Sequence, residues 1–254
     1  MMKCGLRHFC LMIALGTTGF VTASHAENIP FGDIGYAQSD WAPELIQALA
    51  DGPAILSKDE RFDSVPAPAN VSESTKQDLD YLRDIAKTER TPDQLEKIEW
   101  ENRNIPLSAF ERDGLIDLAK NDDIRRFLLK TDREISYFIL KKKMEYGRAR
   151  PSQLATDLET VIPNPLHASY PSGHAGQSWM VALVLSEIDP ANAEKFKNQA
   201  IDIAHRREIA GVHYPADSVA GRDLAEKVFA KLMAVPEYKQ ELEKVKTSYV
   251  VTLK

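Results

Sequence analysis

Thiols are nearly missing from this chain. Its two cysteines, Cys4 and Cys10, both fall within the first 26 residues. The remainder can therefore form no disulfide, no thiolate metal site and no cysteine nucleophile. Positive charge is also in short supply: 32 Lys and Arg stand against 38 Asp and Glu, a net charge of −6. An acidic protein has no general electrostatic attraction for nucleic acid, so no nucleic-acid binding is expected. Long apolar runs are absent beyond Phe9–Val21, itself too short to span a bilayer as a helix. Strand-like alternation is confined to Tyr249–Leu253, and there are no repeats or low-complexity tracts.

What is present at the start is a leader. Met1–His8 carries Lys3 and Arg7 with no acid, and Phe9–Val21 is largely apolar. Thr22-Ala23-Ser24-His25-Ala26 then supplies small residues before a cut after Ala26. This is the pattern of a secretory signal peptide over residues 1–26, which predicts a periplasmic protein with residues 27–254 as its domain. Those 228 residues suffice for one buried core. They carry 30 basic and 38 acidic side chains, so a small anionic ligand must be held by a local cluster of cations. No stable membrane insertion is expected after cleavage, and homo-oligomerisation is left open.

Helical spacing of apolar residues dominates the rest. It predicts helices over Ala42–Ala50, from Ser74 onward, and from Thr91-Pro92-Asp93-Gln94 to Glu101, where threonine caps and proline takes the first helical position. Short helices are expected at Ser108–Lys120 and Ile124–Lys130, followed by a long one at Asp132–Arg148. An irregular loop covers Ser152–Tyr170. Helices at Ser172–Ile188, Ala191–Ala210, Ala216–Met233 and Pro236–Val245 complete the chain. The predicted fold class is all-α, a single-domain helical bundle.

Three stretches carry chemistry. In Ala204–Asp217, Arg207, His213 and Asp217 stand at R-x5-H-x3-D, with Gly211 and Pro215 between them. A helix through Arg207 can end at Gly211, and a new one can start at Pro215. Asp217 then sits four residues after His213, placed to accept the Nδ1 proton and leave Nε2 bare, a nucleophile or base. Tyr170-Pro171-Ser172-Gly173-His174 reads as a helix start with Ser172 as N-cap, whose free backbone N–H groups attract an anion. Lys143 and Arg150, two helical turns apart and followed by Pro151, are expected on one helix face. A guanidinium fork matches the oxygens of a phosphate. The combined set suits phosphoryl transfer, which needs clamped oxygens, in-line attack and a protonated leaving group.

Lys143-x6-Arg150-Pro151, Pro171-Ser172-Gly173-His174 and Arg207-x5-His213-x3-Asp217 resemble the tripartite signature of the type 2 phosphatidic acid phosphatase (PAP2) superfamily. That superfamily includes bacterial class A non-specific acid phosphatases and vanadium haloperoxidases. With its leader and length, the chain is most similar to the secreted acid phosphatases. The resemblance implies that His213 becomes phosphohistidine, Asp217 orients it, and His174 serves as general acid and then base. It implies phosphate binding by Lys143, Arg150, Ser172, Gly173 and Arg207. It further implies small phosphorylated substrates and no metal or other cofactor. Arg206 stands where the family usually has serine, and Ala168 and Ala175 depart from the class A sequence around the middle motif.

Other residues have plainer readings. His167 and His205 are expected to be structural, Lys141 and Lys142 surface charge, and Trp41, Trp100 and Trp179 packing residues. Gln153–Tyr170 is expected to line the mouth of the site. Alternatives within the superfamily are vanadate-dependent halide oxidation in the same cradle and dephosphorylation of a lipid or lipid-linked pyrophosphate. Outside enzymes, a helical phosphate-binding module without turnover would retain the cations.

Overall fold

The computed structural model describes residues 35–63 and 66–251. The leader lies outside them. Among the described residues ten α-helices follow one another: α1 (Pro43–Asp51), α2 (Glu73–Thr88), α3 (Pro92–Arg103), α4 (Pro106–Arg112), α5 (Asp122–Tyr146), α6 (Pro151–Leu154), α7 (Gly173–Ile188), α8 (Ala193–Ile209), α9 (Pro215–Met233) and α10 (Pro236–Ser248). The fold is all-α. Among the described residues the only β-type pairing is an isolated bridge between Gly35 and Arg148. Tyr249 to Val251 form no strand, because they have no neighbouring strand to pair with. No helix of the described residues is long and apolar enough to cross a membrane.

The centre is α7, whose apolar residues face every direction, as expected of a helix enclosed by others. It packs against α5, α8 and α9. Met180, Val184 and Leu185 of α7 meet Phe138 and Ile139 of α5, Phe196 and Ile203 of α8, and Leu224 and Val228 of α9 in one core. Each such side chain contributes about 1.5–3 kcal/mol by leaving water.

Two glycines set how closely α7 and α9 approach. A Cβ on Gly221 would stand 2.5 Å from the Ser172 carbonyl oxygen and 3.0 Å from the Gly176 nitrogen. A Cβ on Gly176 would meet Ile139 at 2.8 Å and the Gly221 carbonyl at 3.0 Å. This contact brings the N-terminal turns of α7 and α9 together, where the Ser172 N–H donates to the Asp217 carbonyl at 2.9 Å.

Three sequence expectations change. The helices expected at Ile124–Lys130 and Asp132–Arg148 are one, because Thr131 does not interrupt them. Its hydroxyl donates to the Phe127 carbonyl at 3.0 Å and pairs with the Tyr238 hydroxyl at 3.1 Å, so it is satisfied inside the helix. That helix stops at Tyr146 rather than Arg148, because Gly147 takes the left-handed conformation (φ 58°) and its N–H caps the Lys143 carbonyl. Arg150 therefore lies beyond the helix in extended backbone as the N-cap of α6, not two turns up the same face as Lys143. The helix expected over Ser108–Lys120 closes after Arg112, followed by Gly114 at φ 73°.

Candidate active site

α8 ends at Ile209 and the chain turns through Gly211, at φ 75°, before Pro215 opens α9. This turn presents His213 at the start of α9 with Asp217 in the helix's first turn. His213 Nδ1 lies 3.0 Å from Asp217 Oδ2. A carboxylate only accepts, so Nδ1 carries the proton and Nε2 is the bare nitrogen. Arg150 Nη1 donates to Nε2 at 3.1 Å, which fits the same tautomer. Burial, reinforced by Arg150, pushes the His213 pKa well below its ordinary value, so the ring is neutral.

Asp217 is fully buried and its oxygens are saturated. Oδ1 accepts from Arg148 Nη1 at 2.7 Å. Oδ2 accepts from His213, from the Ser169 hydroxyl and from the Tyr214 N–H at 3.2 Å. Burial alone would raise its pKa, but Arg148 and the hydrogen bonds hold it below the usual carboxylate range. Arg148 also lies over the Tyr214 ring, 3.8 Å from its centre. Arg148 and Ser169 were not among the sequence candidates. Arg148 lies between Lys143 and Arg150 in the first motif but outside its spacing, and serine in a loop has no distinctive pattern.

A pocket of about 310 Å³ opens beside these residues. Of the sequence candidates, Lys143, Gly173, His174, Arg207 and His213 line it. Asp217, Ser172 and Arg150 stand behind this wall. The Ser172 hydroxyl caps α7 by accepting from the Ala175 N–H at 3.4 Å. Arg150 donates to the carbonyls of Val212 (2.7 Å) and His167 (2.9 Å) as well as to His213. Lys143 Nζ donates to the carbonyls of Ala168 and Ser169, each at 2.8 Å. Burial, with Arg150 next, pushes its pKa well below the ordinary lysine value; in the ammonium form one of its three donors remains for the pocket.

Arg207 differs from the other cations. It is 1% exposed, and its Nε and Nη1 have no hydrogen-bond partner among the described residues. Burial lowers its pKa only to about 10, so it is charged at neutral pH. Leaving a buried donor unpaired costs about 1–3 kcal/mol, and more for a charged group. A pocket holding such a cation is shaped for an anion.

His174, in the first turn of α7, points Nε2 at the Glu101 carbonyl, 3.3 Å away. A carbonyl only accepts, so Nε2 keeps its hydrogen and Nδ1 is the nitrogen left to gain a proton. Burial, with Arg207 next, lowers the His174 pKa to about 3. The same Glu101 engages Arg206 through its side chain, at 2.8 and 3.0 Å. Arg206 thus ties α8 to α3 at the residue whose carbonyl faces His174.

Two histidines expected to be structural have specific settings. His167 lines the pocket, with Nδ1 3.0 Å from Arg150 Nη2, and burial followed by Lys143 and Arg150 keeps it neutral. His205 is no simple solvated or packing residue. It pairs with Glu89 at 2.7 Å and Glu208 at 3.3 Å, and those contacts, Glu208 foremost, raise its pKa to about 9. Among the described residues no group of three His, Cys, Asp or Glu side chains could hold a metal ion.

Residues 133–241 match the family described as PAP2 superfamily. The chain is 39% identical over 83 residues to the non-specific acid phosphatase of Providencia stuartii, covering 33% of this chain and 34% of that protein. It is 33% identical over 117 residues to the non-specific acid phosphatase of Salmonella typhimurium, covering 43% and 46%. The aligned part thus spans less than half the length of these relatives. In fold it is similar to a bacterial vanadium-dependent iodoperoxidase, with a TM-score of 0.56 at 20% identity over 70% of this chain and 55% of that one. The stretch that matches the PAP2 superfamily, residues 133–241, holds all three motifs.

Proposed function

We propose that this chain is a periplasmic phosphatase, delivered by the leader at residues 1–26, that hydrolyses small organic phosphomonoesters through a phosphohistidine intermediate. The observation that carries this reading is the unpaired, buried guanidinium of Arg207 in the pocket shared by His213 and His174. The non-specific acid phosphatases to which the chain is similar support the same reaction class.

The reaction follows from the two tautomers. The phosphate group enters against Arg207, Lys143 and the first N–H groups of α7, where cations and helix dipole favour negative charge. His213 Nε2 attacks phosphorus in line, forming a P–N bond while the bond to the leaving oxygen breaks. The imidazolium so created is stabilised by Asp217. His174, protonated at Nδ1, gives that proton to the leaving alcohol. It then takes one from water as the water oxygen attacks phosphorus. The P–N bond breaks, its electrons return to Nε2, and inorganic phosphate leaves. The charge on the bound dianion offsets the nearby cations that depress His174, so substrate itself favours the protonated acid. The cations required are side chains, and the proposed cycle uses no metal.

The test is turnover of p-nitrophenyl phosphate combined with a brief acid and base quench using labelled substrate. An acid-labile, base-stable label on His213, lost together with turnover in His213→Ala, is the expected result. Label on Ser172, or turnover that persists in His213→Ala, would reject the mechanism. Peroxide-dependent bromination with added vanadate separates the haloperoxidase alternative. The iodoperoxidase likeness at 20% identity bears on fold alone.

A further inference from the structure

The pocket continues past the phosphate end along α5 and α7, and one side chain there has its orientation fixed. Gln177 lines the pocket one turn beyond Gly173. Its Nε2 donates to both oxygens of Asp132, at 3.1 and 3.3 Å, and to the Ser136 hydroxyl at 3.0 Å. Burial raises the Asp132 pKa to about 6, so above that pH its two oxygens only accept, the amide nitrogen faces Asp132 and the amide oxygen faces the other way.

That oxygen points back along the helix toward the phosphate end, where a Cβ placed on Gly173 would lie 3.6 Å from Gln177 Oε1. Oε1 accepts no hydrogen bond among the described residues, although the other end of the amide is triply engaged. Leu45, Ile139 and Leu140 give the same pocket an apolar lining. The pocket thus offers carbon-skeleton contact together with an oriented acceptor beside the phosphate site.

We infer that Gln177, held by Asp132 and Ser136, selects the leaving group by accepting a hydrogen bond from a hydroxyl on the carbon next to the phosphoester. The substrate class is then phosphorylated polyols and sugars, in preference to simple alkyl phosphates. This rests on the phosphatase reading above. Asp132 acts through the amide and is a positioning residue. Gly173 contributes by lacking a side chain between the acceptor and the phosphate.

The test compares glycerol 1-phosphate with n-propyl phosphate, which has the same carbon count and no hydroxyl. Wild type is expected to favour glycerol 1-phosphate in kcat/KM by about tenfold, the usual scale for one neutral hydrogen bond. Gln177→Leu, close in volume, should collapse the ratio toward one. Asp132→Asn, which lets the amide turn over, should shift it in the same direction by a smaller factor. Both variants are checked for native circular dichroism. A preference that survives Gln177→Leu, or a ratio already near one in wild type, overturns the assignment while leaving the phosphatase reading intact. Failure of the wild type to cleave either ester, or p-nitrophenyl phosphate, overturns both.

Discussion

Arg150 Nη1 stands 3.1 Å from His213 Nε2, so the guanidinium occupies the lone pair that the proposed reaction needs. Every other N–H of Arg150 is directed at His167, Ala168 or Val212. An arriving phosphate oxygen can compete for the Nη1 hydrogen and release Nε2 at the moment a target is present. Replacing the fork by a single ammonium in Arg150→Lys removes this exchange. The expected loss in kcat/KM for p-nitrophenyl phosphate is ~10²–10³, the scale for deleting one preorganised donor. Wild-type kinetics in Arg150→Lys would show that the contact is only structural.

Asp217 joins orientation of His213 to a buried ion pair with Arg148, both side chains being fully buried. Breaking such a pair from one side leaves an uncompensated charge and costs about 3–5 kcal/mol. Asp217→Asn is therefore expected to lose stability of this order in urea denaturation, and kcat by several orders of magnitude because the imidazole can adopt the other tautomer. Arg148→Met should destabilise comparably. The double variant should lose less than the sum of the two, since neither charge is then stranded. Additive losses would mean the pair is not coupled.

Gly221 tests the close contact that brings the starts of α7 and α9 together. A methyl group there meets the Ser172 carbonyl at 2.5 Å, which is backbone and cannot swing aside. Gly221→Ala should lower stability by about 1–3 kcal/mol, as overpacking does. It should also reduce kcat/KM, because the movement needed separates Ser172 from Asp217. A thermal melt and steady-state kinetics on one preparation check both parts. Normal stability and activity would show that the helices can part without consequence.

His205 predicts a pH effect on stability rather than on catalysis. Its pKa is raised to about 9 by Glu208 and Glu89, against an ordinary value near 6.5. A raised folded-state pKa means that the stabilisation is complete below about 6.5 and is lost as pH rises through about 9. Between pH 7 and 10 the wild-type melting temperature should therefore fall more steeply than that of His205→Ala. Because His205 and Glu89 are each about a third exposed, solvent screening reduces the size of the effect. Parallel slopes for the two proteins would remove the ion pairs from the account.

The helical class and the residue types of the site are legible in the amino-acid order alone. The unbroken apolar run Trp179–Leu185 behind the Ser172 cap reads as an enclosed helix, and R-x5-H-x3-D fits Gly211 and Pro215 so closely that the turn around His213 is a local property. The tautomer of His213 follows from the same short segment, since Asp217 lies only four residues away. Contacts between residues far apart in the chain come instead from packing. Arg148 reaches Asp217 across 69 positions and Arg206 reaches Glu101 across 105, and no local pattern records either. The end of α5 shows the difference clearly. The spacing of Lys143 and Arg150 suggested one helix face, but Gly147 turns the chain, and Arg150 reaches His213 from extended backbone because burial must satisfy its five N–H groups with carbonyls from other segments. Arg207 was legible as a cation from its motif. That its guanidinium is buried and unpaired, and so shaped for an anion, depends on which helices surround it, and packing alone sets that.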